Sequence, residues 1–148
     1  MSAGGAATMA ELLLFRVGSE HFALALAQAE EAVESLAVHP LPGSPAGMLG
    51  VAQLRGAMLP VYAAEPLLGA APAPDANVTL VVRGQAGRAG IVIDDVEDVM
   101  MADLSTLRAV PGARGGDPVL RGVTPRGPEL VAVCDADALV HACLRWKT

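Results

Sequence analysis

The segment Gly50-Val-Ala-Gln-Leu-Arg-Gly-Ala-Met-Leu-Pro-Val61 decides the fold, because it sets Arg55 and Gly56 in a turn between two short apolar runs. Such runs around a tight polar turn read as a β-hairpin. An arginine at a hairpin tip is not packing material. Near the C-terminus, Gly122-Val-Thr-Pro-Arg-Gly-Pro-Glu-Leu-Val131 repeats the glycine-valine pair, the arginine-glycine pair and the leucine that follows. A duplicated hairpin points to a duplicated fold.

Working outward, Leu12 to Val17 and Phe22 to Leu26 flank Gly18-Ser19-Glu20 and read as another hairpin. Its shape returns from Leu80 to Val99, around the glycine-rich turn Gly84 to Gly87. The two stretches match at an offset of 67 without a gap, from Leu13 and Leu80 to Ala32 and Val99. Along it Arg16 matches Arg83, Leu24 matches Ile91, Glu30 matches Glu97 and Glu31 matches Asp98. The later echo runs at 72 for Gly50 and Gly122 and at 71 for Arg55 and Arg126, so residues were gained in the intervening loops.

Breaker-rich connections lie at Pro40 to Pro45, Ala70 to Asn77 and Pro111 to Pro118. Strands at this spacing indicate an all-β barrel or sandwich. Two helical windows stand out. Ala64 to Leu68 fits one turn, and Asp135 to Trp146 places Leu139, Val140, Cys143 and Leu144 on one face behind an aspartate cap. Residues 1–10 read as a disordered tail, and residues 11–148 as a single domain, the usual prior for a chain of 148 residues.

Composition narrows the function. Hydrophobic residues make up 53% and the mean hydropathy is +0.45, but alanine supplies much of the excess. No uncharged apolar run reaches the roughly 18 residues of a membrane span. The N-terminus has neither the basic nor the apolar region of a secretory signal, so the expectation is a cytoplasmic protein without membrane insertion. A net charge of −6 disfavours phosphate backbones and anionic lipid, and 3% aromatics leave no stacking platform for single strands. Nucleic acid is not an expected partner.

Catalytic and metal chemistry find no foothold. Asp94, Asp95, Glu97 and Asp98 are the densest carboxylate group, but on a strand they alternate sides and do not converge. His21, His39 and His141 have no nucleophile in a recognisable context, and the Arg83 to Gly90 turn lacks a phosphate-binding lysine. Cys134 and Cys143 read as buried small hydrophobes. No enzyme, metal site or cofactor is expected. Arg55 remains: a guanidinium forks two hydrogen bonds to a carboxylate, so it suits an internal tie to Glu31 or to the Asp94 to Asp98 segment, an outward contact, or both.

In order along the chain, the hairpin Leu12 to Leu26, Glu31, Pro40-Leu-Pro-Gly-Ser-Pro45, Gly50-Val51, Leu54-Arg55-Gly56, Leu59-Pro60-Val61, Asn77 to Val82, Gly90 to Val99 and Gly122-Val123 to Ala138-Leu139 resemble the CheW-like domain family. The resemblance implies two small five-stranded β-barrels packed side by side around a shared core, with a C-terminal helix. It implies a non-catalytic adaptor that couples the cytoplasmic tip helices of chemoreceptors to the regulatory domain of a CheA-type histidine kinase. By position, Ala29, Glu31, Ala32, Val96 and Val99 would line a receptor groove with Arg55 nearby. Departures are Gln53 for the signature asparagine, smaller residues at Ala29 and Ala32, and Ala63 and Glu65 where the family tends to carry an aspartate and a base. They leave open an adaptor for pilus motility or second-messenger synthesis. The alternative of another class is a barrel that senses a small molecule in the groove between its halves.

Overall fold

A continuous apolar run from Leu12 to Phe15 and a glycine turn after Val17 set the first hairpin, and short apolar runs ending in glycine-containing turns recur along the chain. In the computed structural model, which describes residues 8–109 and 119–144, the strands are β1 (Met9–Val17), β2 (Glu20–Ala25), β3 (Ala29–Glu34), β4 (Met48–Leu54), β5 (Ala57–Ala63), β6 (Val78–Gly84), β7 (Gly87–Ile93), β8 (Asp95–Asp103), β9 (Leu120–Arg126) and β10 (Glu129–Cys134). Helix α1 (Ala64–Leu68) follows β5 and α2 (Ala136–Leu144) follows β10. Asp135 caps α2, its carboxylate accepting from the Ala138 amide at 3.1 Å. Residues 1–7 of the expected tail, the Pro111 to Pro118 connection up to residue 118 and residues 145–148 lie outside the described residues. A tail reaching residue 10 is not what the fold has: Met9 and Ala10 belong to β1, because Asp103 and Ala102 of β8 stand opposite them.

The strands form two five-stranded sheets, ordered β8-β1-β2-β10-β9 and β3-β6-β7-β5-β4. Replacing each strand by its counterpart in the other half turns one order into the other. Each sheet takes two strands from one half and three from the other, so the repeat unit and the sheet are different things. The hydrogen-bonded ladders stay open: among the described residues β8 and β9 are the edges of one sheet, β3 and β4 of the other. Gly50 and Gly122 each lie where a second backbone segment crosses, with φ of 148° and 158°. A Cβ at Gly50 would collide with the His39 carbonyl, and one at Gly122 would meet the Arg108 carbonyl oxygen at 2.6 Å. His39 bridges Val51 and Arg108 bridges Val123, so both crossings are duplicated too.

Among the described residues the apolar packing divides into a shared core and smaller clusters. A shared core joins the sheets, with Phe15, Val17, Phe22 and Leu24 from one and Leu80, Val82, Ile91 and Ile93 from the other, closed by Leu139 and Val140 of α2. Smaller clusters sit inside each sheet's curl: Leu12, Leu14, Val131 and Val133 in one, and Leu59, Val61 and Val81 in the other. Each fully buried side chain of this size contributes roughly 1.5–3 kcal/mol. Truncating Ile91 to alanine is expected to cost about 2–5 kcal/mol. Urea unfolding followed by NMR should then show signals from both sheets vanishing in one transition; persistence of β1 and β2 after β6 and β7 are lost would contradict a shared core.

Candidate functional site

Edge strands β3 and β8 carry the residues expected to line a groove, and each contains a bulge. Ala29 stands opposite Val82 and Ala32 opposite Leu80, with the pairing displaced between Ala29 and Glu31. Val96 stands opposite Phe15 and Val99 opposite Leu13, with the matching displacement in β8. In a regular strand residues three apart face opposite sides. The extra residue, Glu30 or Glu97, restores the phase, so Ala29 and Ala32 share one face and Val96 and Val99 share another. Those are the faces of Leu80 and Val82 and of Leu13 and Phe15, which meet in the shared core. Ala29 and Val96 pack against that core; Ala32 is exposed and Val99 is 44% exposed. Two apolar lips thus flank the seam between the sheets.

The bulged glutamates point away from the ladder into ion pairs that obey the repeat. Glu30 lies 3.6 Å from Arg83 and 3.0 Å from Arg88. Glu97 lies 3.7 Å from Arg16 and 2.8 Å from His21. Arg16 and Arg83 are 67 apart, and so are His21 and Arg88. Each bulge is therefore fixed by a triad of one carboxylate and two basic side chains.

Beside the first lip, Arg55 forks onto Glu31, with Nε 3.0 Å from Oε1 and one terminal nitrogen 2.9 Å from Oε2. Arg55 and Gly56 both have positive φ, 51° and 81°, as a two-residue type I′ turn requires. A side chain at the first of these positions is uncommon. Arg55 is fastened at its head yet 73% exposed along its side chain, so the internal tie and the outward face coexist. Its hydrogen bonds hold the Glu31 carboxyl below the usual carboxylate range and raise the guanidinium in turn. Across the repeat, Arg126 lies 2.9 Å from Asp98 through a single contact. Strand register keeps the offset of 72 into the second hairpin, since Val61 beside Gly90 matches Val133 beside Ala23. Arg126 therefore occupies the position of Leu54, at a strand end, and Gly127 takes the turn position.

The acidic segment is dispersed among separate partners. Asp94 accepts from the Gly18 amide, Glu97 meets Arg16 and His21, and Asp98 meets Arg126. Among the described residues no group of three or more histidine, cysteine or carboxylate side chains is disposed to hold a metal. Cys134 and Cys143 are both buried, and burial pushes the Cys143 thiol up to about 12. Among the described residues one cleft lies between Pro45, Tyr62, Pro66 and Ala142, and another between His21, Phe22, Glu129 and Leu130. Sequence reasoning gives His21 no role. The signal is present in its 67-residue spacing from Arg88, but the residue types differ.

Three comparisons bear on this arrangement. A family model described as CheW-like domain matches residues 11–143. The chain is 31% identical over 103 residues to "Probable chemotaxis protein CheW" of Rhizobium etli and, equally, to "Chemotaxis protein CheW" of Rhizobium meliloti. Each match covers 68% of this chain and 66% of the relative's length. The crystal structure of the scaffolding protein TtCheW from Thermoanaerobacter tengcongensis superposes with a TM-score of 0.74 at 19% identity, over 88% of this chain and 91% of that one. That likeness is one of fold. No described helix is long and apolar enough to cross a membrane.

The Glu31–Arg55 geometry makes a prediction about pH. A carboxyl lowered in the folded state contributes stability that is full above its unfolded titration range and lost as pH falls through the lowered value. An NMR titration of Glu31 should therefore reach its midpoint at lower pH in the parent than in Arg55→Met. Coincident midpoints would mean that the fork does not persist in solution.

Proposed function

The chain belongs to the CheW-like domain family, and from that premise we propose that it is a non-catalytic adaptor, acting in the cytoplasm, that couples chemoreceptor tip helices to the regulatory domain of a CheA-type histidine kinase. The observation that carries this reading is the pair of bulged edge strands: Ala29 and Ala32 on one, Val96 and Val99 on the other, on faces that meet in one core. Apolar lips flanking a seam suit an amphipathic helix laid into a groove. Glu31 and Arg55 stand beside the first lip, where a polar side chain on the helix flank would meet them. The functional unit is the chain from β1 onward, a reading supported by the exchange of strands between halves.

The two lips are unequal, alanine against valine. Each methylene absent from β3 removes roughly 0.8 kcal/mol of potential burial, so a helix seated here draws more of its apolar contact from β8 and approaches β3 more closely. Val99 is the better anchor and Arg55 the better orienting group.

Arg55→Glu reverses the charge at the hairpin tip, and Val99→Glu puts a charge on the exposed lip. Each is expected to weaken co-sedimentation with membranes carrying the cognate receptor by about 30-fold or more, the effect of losing a hot spot of about 2 kcal/mol. Circular dichroism should be unchanged. Unaltered co-sedimentation in both variants would reject the site; failure of the parent chain to make kinase activity receptor-dependent in reconstitution would reject the function.

A further inference from the structure

Two adjacent methionines on β8 face opposite sides of their sheet. Met100 stands opposite Leu12 and is partly buried against the cluster of Leu12, Leu14 and Val131. Met101 stands opposite Glu11, two residues beyond Val99 and therefore on the same face as Val99. It is 55% exposed, and so is Met9 of β1, its diagonal neighbour on that face. The apolar stripe of the second lip thus runs on from Val96 and Val99 to Met101 and Met9.

The first lip has no such extension. At the offset of 67 the position of Met101 is held by Glu34, and the strand partners agree, since Glu34 stands opposite Val78 and Met101 opposite Glu11. Glu34 is exposed beyond Ala32 on the same face of β3. A helix laid along the seam therefore meets a thioether on one side of this end and a carboxylate on the other. The helix that fits presents an apolar side chain to Met101 and a basic one to Glu34.

We propose that Met101 is an oxidation site that regulates the second lip: hydrogen peroxide converts its thioether to the sulfoxide, and the oxidised lip holds the helix less tightly. In that step one peroxide oxygen passes to sulfur as the O–O bond breaks, sulfur is oxidised by two electrons, and the remaining hydroxyl takes the proton and leaves as water. The product is polar where the methionine was apolar. A docked apolar side chain cannot satisfy the new sulfoxide oxygen, so docking strips it of water without return. Neither Ala29 nor Ala32 can be altered in this way, so the sensitivity belongs to β8 alone. The inference rests on the docking reading of the seam.

The test treats the chain alone with hydrogen peroxide, removes the oxidant, and compares co-sedimentation with receptor-bearing membranes for treated and untreated chain. Mass spectrometry with peptide fragmentation should place the added oxygen on Met101, Met9 and the exposed Met58 of β5 before Met100 and the buried Met48. The treated parent is expected to bind about tenfold more weakly than the untreated one, as for burial of a polar group without a partner. Methionine sulfoxide reductases acting on both epimers should restore binding. In Met101→Leu the treated and untreated chains should bind alike, whatever the variant's own affinity, although Met9 and Met58 still react. Oxidation of Met100 as readily as Met101, full binding by a parent carrying the Met101 sulfoxide, or an undiminished response in Met101→Leu would overturn the proposal and leave docking standing. No binding by the untreated parent would overturn the docking reading and this inference with it.

Discussion

The constraint on which the rest of the structure depends is the exchange of strands between the two halves of the chain. Because β1 and β2 sit in the sheet completed by β8, β9 and β10, and β6 and β7 in the sheet completed by β3, β4 and β5, neither half owns a sheet. The shared core follows directly. The inward faces of β1, β2, β6 and β7 meet there, and the crossings into β3 and β8 carry the chain past it. A lip residue on either edge strand is thereby tied to the same packed layer.

The bulges turn that architecture into the proposed docking site. In regular strands, the residues three apart on β3 and β8 would look to opposite sides of their sheets. With the bulges, each pair shares the face that packs on the common core, and the displaced glutamates are held by basic side chains on the neighbouring hairpins. The same device that phases the apolar lips thus builds the charged flank. It occurs twice, with arginine as the fastener in one copy and histidine in the other. Arg55 adds a feature without a full counterpart, since its turn geometry pushes it outward while the fork to Glu31 fixes its head.

Much of this is legible in the sequence. The offset of 67 from Leu13 to Ala32 is also the register offset of the pairing, because both copies contain the same bulge and counting residues does not disturb it. Glu31 is one of two partners open to Arg55, and α1 and α2 form where helical spacing occurs. Three things are hidden. Strand exchange leaves no mark on a single hairpin, since every hairpin here has the same apolar pattern and pairing choice is made by long-range packing. The bulges are invisible because a glutamate on an edge strand reads as an ordinary exposed residue. The second hairpin looks shifted because Arg126 stands at the strand end instead of in the turn, where Gly127 supplies the positive φ.

We propose that the two edge strands, though they belong to different sheets, form one docking surface. Chemical-shift mapping of the ¹⁵N-labelled chain against a receptor tip hairpin tests it most directly. Simultaneous, saturable shifts are predicted at residues 29–32, 96–99 and Arg55. Shifts confined to one strand, or centred on α2 or the Pro40 to Pro45 loop, would contradict it.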